Sequence, residues 1–405
     1  MNLKDQHIII FSKMQFDGEL ESTNYTIARH LAKNNYVYYF DRPFTWKDYF
    51  KLNKTEAYRT RRPHFFSSKN SFIQSDIPNL KIFFCPPVPS INLLPKGAAY
   101  RLALKFKQWV VVTRLKKIIK MFDIKNYIYI NSFNFSYPTL HKLLEPALTV
   151  YHCVDPITGN YQIKHGIDNE KILIQNVDIV ICTSMELNNK ALLLNKNSYF
   201  VPNAANFTHS SKALDPNLAI SAIFDGIKRP IIGYLGAIER RIDYELMNRV
   251  MELNRDKSFV FIGPAETDYV KSGGFNAPNL SLHGPIPYNE MPAVLKGFDV
   301  GIIPFKRDDV SKNIFPLKLF EYMGAGKPIV AINFNDDLKD ITLDSVPYCE
   351  TAEEFSLAIN EALNDTPEKQ QNRLKIAASN TWEHRIAQIK EILLKGLAEK
   401  NKQAN

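Results

Sequence analysis

NIFPLKLFEYMGAGKPIVAI, residues 313–332, reads as a helix that runs into a buried strand. Pro316 suits the first turn of a helix, and Gly324 and Gly326 suit its end. The run KPIVAIN (327–333) is apolar and β-branched, as a strand covered on both faces requires. On the helix, Lys318 and Glu321 stand three apart and share a face near the N-terminal end. A helix N-terminus already favours phosphate through its free N–H groups and dipole, and Lys318 adds a full charge. Glu321, one turn further on, can accept hydrogen bonds from a ribose diol. The group makes a nucleotide-diphosphate cradle; on spacing alone, a surface Lys–Glu pair is the other reading.

Outward from this stretch, short apolar runs alternate with helix-like segments. HIIIF (7–11), YVYYF (36–40), KIFFC (81–85), YIYIN (127–131), LTVYHCV (148–154), DIVICTS (178–184) and SYFVPN (198–203) come first. PIIGYLG (230–236), FVFIGP (259–264), LSLHG (280–284) and VGIIPF (300–305) precede KPIVAIN. Most are continuous rather than alternating, which predicts parallel strands. Helices are expected at Thr23–Lys33, Lys96–Met121, Asp243–Leu253 and Glu353–Leu363. The class is α/β with parallel sheets. The irregular stretch 204–228 separates two doubly wound domains, so 1–205 and 206–380 are read as domains and 381–405 as a terminal helix. Ligands of such sheets bind at the carboxyl ends of the strands, which predicts a site in a cleft between facing domains.

A chain of 405 residues, 45 % hydrophobic and 23 % charged, is long enough for two cores and too apolar for disorder. Cys85, Cys153, Cys182 and Cys349 form no C-x-x-C pair, so neither a zinc site nor a disulfide framework is expected, and a reducing compartment fits. The start, MNLKDQHIIIF, lacks the apolar stretch of a signal peptide, and no run could span a bilayer. A cytoplasmic chain is expected, free or at the inner membrane surface. The net charge is +9, yet residues 51–122 hold 15 Lys or Arg against Glu56 and Asp76, which leaves the rest of the chain at −4. Lys96 to Lys120 has eight cations, no acid, and Leu102, Phe106, Trp109, Val110, Leu115 and Ile118 at roughly helical spacing. That pattern suits an anionic membrane surface, or a solvated face packed on a core. Without a recognition motif, nucleic acid is not expected as a partner.

The run PLKLFEYMGAGKPIV resembles the donor-binding helix of bacterial GT-B glycosyltransferases, including glycosyltransferase family 4 and related membrane-associated sugar transferases. The resemblance implies that Glu321 binds the donor ribose. Family 4 would place a second Glu eight residues earlier, where this chain has Asn313. That departure points toward relatives with a P-L-K-x-x-E-Y motif, some of them inverting. GYLGAIERRIDYELM (233–247) resembles the first strand–loop–helix of a GT-B donor domain. There Gly236 would allow close backbone approach, Arg240 or Arg241 would meet the diphosphate, and Asp243 reads as an N-cap. In LSLHGPIPYNEM the resemblance implies nucleobase contacts after His283, around Ile286, with Tyr288 nearby; His283 can equally be structural.

In the N-terminal half, YHCVDPITGN (151–160) ends a buried strand at Asp155. Related inverting glucuronosyltransferases imply a catalytic base near there, and a turn-forming Asp before Pro156 is the alternative. Asp17 and Glu19, after the first strand, are further candidates, whereas His152 is expected to be packed. Trp382 would anchor a terminal helix that crosses back to the first domain. The expectation is a glycosyltransferase that moves sugar from a nucleotide-diphosphate donor, a UDP-sugar, to a saccharide or lipid-linked acceptor in cell-surface polysaccharide synthesis. No Asp-x-Asp motif occurs, so no cofactor and no obligatory metal are expected. A UDP-sugar 2-epimerase of the same fold and a degenerate nucleotide-binding partner protein are the rival readings.

Overall fold

The computed structural model describes residues 3–18, 22–67, 70–266 and 274–404. The chain divides into two compact units, Met1–Pro202 with Ile386–Asn405, and Asn203–Arg385.

In the first unit the order is β1 (His7–Ser12), α1 (Thr23–Leu31), β2 (Tyr36–Phe40), α2 (Trp46–Lys51) and α3 (Glu56–Phe65). Then come β3 (Phe72–Gln74), β4 (Leu80–Phe83), α4 (Ala98–Met121), β5 (Ile128–Ser132) and β6 (Leu148–Cys153). The unit continues through α5 (Asn160–Asn176), β7 (Ile179–Cys182), α6 (Met185–Leu192) and β8 (Ser198–Phe200). The strands form one sheet in the order β3-β4-β2-β1-β5-β6-β7-β8. Its central strands are buried but for His7 at the start of β1, as their largely apolar runs dictate. The parallel arrangement has one exception. The sheet is not wholly parallel, because β3 pairs antiparallel with β4 at the edge. Three residues that lie only half-covered are too short to announce themselves as a strand.

In the second unit α7 (Phe207–Ser210) precedes β9 (Ile231–Leu235), α8 (Tyr244–Leu253), β10 (Ser258–Ile262) and β11 (Leu280–His283). After them run α9 (Met291–Gly297), β12 (Val300–Ile303), α10 (Leu317–Gly324), β13 (Ile329–Ile332) and α11 (Asp337–Thr342). The unit ends with β14 (Tyr348–Cys349), α12 (Ala352–Ala362), α13 (Pro367–Ser379) and the start of α14 (Trp382–Ala404). Its sheet is parallel, in the order β11-β10-β9-β12-β13-β14. Pro316 is the N-cap of α10 rather than a first-turn residue. From Ile386 on, α14 belongs to the first unit: Gly396 lies against Ile179 and Leu148, and Lys400 pairs with Asp178 at 2.8 Å.

The long basic helix α4 departs from the single amphipathic stripe expected of it. At about 100° per residue, Val111, Leu115 and Ile118 fall on one side and Leu102, Phe106 and Trp109 on the other. The first set lies in the core, with Val112 beside it. The second is exposed, at 73 %, 54 % and 58 %. Lys107 and Arg114, read from sequence as part of a solvated face, turn to the core side and are buried. Arg114 donates to the carbonyls of Phe65 and Ser67, which ties the end of α3 to α4.

The start of the sheet is held by a charge triad centred on a buried arginine. Arg61 on α3 is fully buried; it bonds Asp41 after β2 at 2.7 Å through Nε and grips both carboxylate oxygens of Asp17. Burial pushes Asp41 up to about 6, against the pull of Arg61. A carboxyl raised in the folded state holds a proton that the unfolded chain releases, so its stabilising share is complete below pH ~4 and is lost by pH 6. Arg61→Met leaves Asp41 facing Asp17 without its cation and raises it further. The variant should lose about 3–5 kcal/mol at pH 8, and clearly less at pH 5, in paired urea titrations. Equal losses at the two pH values would show that Asp41 does not titrate in this window.

Candidate functional site

The second unit builds its candidate site where its strand order reverses. From β9 the chain moves outward to β10 and β11, then returns to place β12 on the other side of β9. The carboxyl ends of β9 and β12 therefore flank the crevice where doubly wound sheets bind ligands. Gly236 follows β9 directly with φ +146°, and Gly263 follows β10 with φ +148°. A Cβ on Gly236 would sit 2.5 Å from Lys318 Nζ, so the lysine fills the place of the absent side chain. A Cβ on Gly263 would meet the Gly236 carbonyl at 2.2 Å, so the turn after β9 needs a glycine at the end of β10.

Lys318 Nζ donates to Tyr234 Oη at 2.8 Å and lies 4.0 Å above the Tyr234 ring and 4.8 Å above that of Phe305. Burial, then the nearby Arg241, pushes this amine down to about 7, while Glu321 and Glu239 pull the other way. Arg241 pairs with Glu239 through Nε and lies 5.4 Å from the Phe305 ring centre. Arg240 beside it is half-buried. Asp243 caps α8, accepting from Leu246 N at 3.0 Å.

A second packing device fixes α10. Gly233 and Gly301 are partners on β9 and β12, and side chains there would strike Phe298 and Tyr322. In the space they leave, Tyr322 lies on β12 and accepts from Leu235 N at 2.8 Å. Tyr322 thus locks the helix that presents Lys318 and Glu321 to the end of β9. Glu321 is half-buried one turn beyond Lys318.

His283 ends β11, two strands from β9, and its carbonyl accepts from Gly263 N at 3.1 Å. It is half-buried, and its Nε2 is shut from solvent without a partner among the described residues. Ile286 is half-buried just beyond, and Tyr288 stacks on His209 at 4.3 Å. Gly236, Arg241, Lys318 and Glu321 are therefore brought together, with His283 and Ile286 further along the same strand-end edge. The aromatic supports Tyr234 and Phe305 were not singled out in the sequence. Only the tyrosine within an otherwise aliphatic strand hinted at them.

In the first unit the carboxyl ends of β1, β5 and β6 present the other candidates. Asp155 is exposed two residues past β6 and faces Lys13, which follows β1. Lys13 Nζ donates to Gln162 Oε1 at 2.8 Å and lies 3.9 Å above the Phe135 ring and 4.6 Å above that of Phe133. Burial pushes it down to about 8, opposed by Asp155 and Glu170. Asp17 has both oxygens held by Arg61. Glu19 lies outside the described residues. His152 is buried beside Ser132 Oγ at 3.1 Å, and burial pushes it down to about 4. No group of three His, Cys, Asp or Glu residues arranged to hold a metal occurs among the described residues, and no described helix is long and apolar enough to cross a membrane.

With this geometry in place, comparison with known proteins is informative. A Bacillus subtilis (strain 168) protein named as a teichuronic acid biosynthesis glycosyltransferase, TuaH, is 27 % identical over 214 residues, 49 % of this chain and 53 % of that one. The match thus spans about half the length of each protein. Among solved structures, a sucrose-phosphate synthase from Thermosynechococcus elongatus superposes with a TM-score of 0.67 at 14 % identity, covering 97 % of this chain and 100 % of that one. A trehalose 6-phosphate synthase from Burkholderia multivorans gives 0.68 at 8 % identity and covers both chains fully. At such identities these structures speak for the fold alone, and that fold is GT-B. Residues 229–365, which hold the lysine crevice, match the model of the family described as glycosyl transferases group 1.

Proposed function

We propose that this chain transfers a sugar from a nucleotide-diphosphate donor, a UDP-sugar, to a hydroxyl of a saccharide or lipid-linked acceptor in the making of a surface polysaccharide. The carrying observation is the Lys318 amine, held over two rings and against Gly236 at the strand-order reversal, with no carboxylate in salt-bridge contact among the described residues. A desolvated cation beside open glycine backbone is matched to a phosphate. As the glycosidic bond breaks, negative charge grows on the leaving diphosphate, and Lys318 and Arg241 stabilise it where water is excluded. Glu321 accepts from the ribose hydroxyls, and His283 and Ile286 border the base. These cations take the neutralising role that a divalent ion has elsewhere, so no obligatory metal is proposed.

On the acceptor side we assign the base to Asp155 rather than Asp17. Both oxygens of Asp17 are engaged by Arg61, whereas Asp155 stands at the end of β6 beside Lys13. Asp155 takes the hydroxyl proton as the acceptor oxygen attacks the anomeric carbon. The teichuronic acid biosynthesis named for the Bacillus relative supports a polymer-building role.

The pH dependence of donor binding tests the cradle. Phosphate binds the ammonium form, and in the empty site that form is half lost at about pH 7. The terminal phosphate of UDP is already ionised above this pH, and burial raises the Tyr234 phenol out of the range. Affinity for UDP should fall tenfold or more between pH 7 and 9, with a proton taken up on binding, as seen by calorimetry in two buffers. Lys318→Met should bind weakly with a flat profile, and a steep profile in that variant would remove Lys318 from the diphosphate site.

Membrane attachment is the second test. The face of α4 that exposes Leu102, Phe106 and Trp109 also exposes Arg101, Lys105, Lys116, Lys117 and Lys120. We propose that it rests on anionic lipid, each near-surface cation adding about 1 kcal/mol. The protein should sediment with phosphatidylglycerol-containing vesicles, ignore neutral ones, and detach as salt rises. Changing Lys105, Lys116, Lys117 and Lys120 to Glu should abolish sedimentation while leaving UDP affinity intact. Unaltered binding by that variant would make the face merely a solvated one.

A further inference from the structure

Three aromatic rings of the first unit face water side by side. Trp46 and Phe50 on α2, and Phe66 directly after α3, are 41 %, 67 % and 63 % exposed. The Trp46 ring is nearly parallel to that of Phe50, at 28° and 6.3 Å, and to that of Phe66, at 25° and 6.4 Å. Tyr49 meets all three edge-on, at 5.6, 5.4 and 6.4 Å. Tyr49 also packs on Phe65, which lies against Phe44 at 5.5 Å, and these last two are shut from solvent. The buried pair serves the core; the outer three serve no packing that the fold needs, and exposed apolar surface of this kind marks a contact site.

The backbone under the rings is pinned at each end. Trp46 N donates to the Val88 carbonyl at 2.9 Å, and Val88 N to that of Phe44 at 2.8 Å. Thr45 and Asp48 close a reciprocal cap on α2. Arg114 of α4 grips the carbonyls of Phe65 and Ser67, on either side of Phe66. Rings fixed this way hold their shape before any ligand arrives, which lowers the cost of binding one. The patch is also basic. Lys47 and Lys51 adjoin Trp46 and Phe50, Arg62 precedes Phe66 by one turn, and all three cations are exposed. The acids of this segment are engaged, Asp48 in the cap and Glu56 with Arg59 at 3.9 Å. Lys47, Lys51 and Arg62 therefore have no ion-pair partner among the described residues.

The patch stands past the carboxyl ends of β2 and β4, since Thr45 bridges Val88 there in parallel. Lys13 and Asp155 follow β1 and β6 of the same parallel set, so patch and acceptor residues share one end of one sheet. We propose that Trp46, Phe50 and Phe66, with Lys47, Lys51 and Arg62, bind an acidic polysaccharide, the polymer whose growing end is the acceptor. This deepens the acceptor half of the proposed transfer and rests on it. The C–H face of a pyranose lies on the negative face of an aromatic ring, and an acidic substituent meets the cations. Rings held at fixed spacing and angle suit a repeating saccharide, whereas a lipid surface asks for apolar depth and not for register between rings.

Fluorescence of the full-length chain carrying Trp109→Phe tests this, because Trp46 is then its exposed indole and Trp382 is buried. Oligogalacturonate should shift the Trp46 emission to the blue and slow its quenching by acrylamide. Phe50→Ala and Phe66→Ala should each weaken this binding about fivefold, and both side chains are exposed enough for the fold to survive their loss. Lys47, Lys51 and Arg62 changed together to Gln should weaken it roughly tenfold and flatten its dependence on salt. Neutral maltoheptaose should need at least roughly tenfold more. Four outcomes overturn the proposal: no response to oligogalacturonate, an equal response to maltoheptaose, ring variants that bind like their parent, or equal protection of Trp46 by polyphosphate, which has no sugar ring. A blue shift with phosphatidylglycerol vesicles and none with oligogalacturonate overturns it too, and gives the patch to a membrane. UDP binding is read separately by calorimetry on the same protein. Retained UDP binding without oligogalacturonate binding removes the patch alone, and the reverse result removes the donor cradle.

Discussion

An ammonium group drawn out of water onto aromatic rings, at the one place where a parallel sheet reverses its strand order, is the constraint that organises both halves of this chain. In the second unit it is Lys318 over Tyr234 and Phe305, and in the first Lys13 over Phe133 and Phe135. Ring faces attract a cation without neutralising it, which keeps the charge available to a ligand. A carboxylate in the same place would satisfy the amine and close the site. The surrounding glycines and tyrosines follow from this requirement: Gly236 makes room for the amine, and Tyr322 fixes the helix that delivers it.

The two units differ in what else meets the lysine. Lys318 shares its crevice with Arg241, whose charge is tempered by Glu239, so the site has a surplus suited to a diphosphate. Lys13 faces Asp155 and Glu170, so its site joins cation and carboxylate. The same topology thus supports two chemistries through side chains placed just beyond the strands. This is the ordinary way one fold serves several functions.

Much of this was legible in the residues. The twelve apolar runs all became strands, because a strand covered on both faces must be apolar throughout, and that leaves a continuous signature. The two that escaped notice, Phe72–Gln74 and Tyr348–Cys349, are edge pieces of three and two residues. The sequence also singled out Gly236, Arg241, Lys318 and Glu321, since local spacing ties them to one loop and one helix. It could not show Lys13, whose rings lie more than a hundred residues away, or the capture of Asp17 by Arg61. Helix α4 is the instructive failure. Its apolar residues form two opposite arcs, and periodicity gives their angle without saying which one meets the core. Lys107 and Arg114 were misplaced for that reason alone.

Once α4 is placed, the basic excess of residues 51–122 divides into kinds with different physics. Arg61 and Arg114 are buried and fully occupied, by carboxylates in one case and backbone carbonyls in the other, and they hold α3 to the sheet and to α4. Arg101, Lys105, Lys116, Lys117 and Lys120 face water, where each is hydrated at no cost and screened by salt. Lys107 belongs to neither kind. It shares a helix with the exposed set and the core side with Arg114, yet it has no hydrogen-bond acceptor among the described residues. Stability would favour a methionine at that position, of similar reach and without the desolvation cost. The Lys107 Nζ lies 4.5 Å above the Tyr137 ring, which attracts the ammonium without neutralising it, while the methylene stem packs on the core side of the helix.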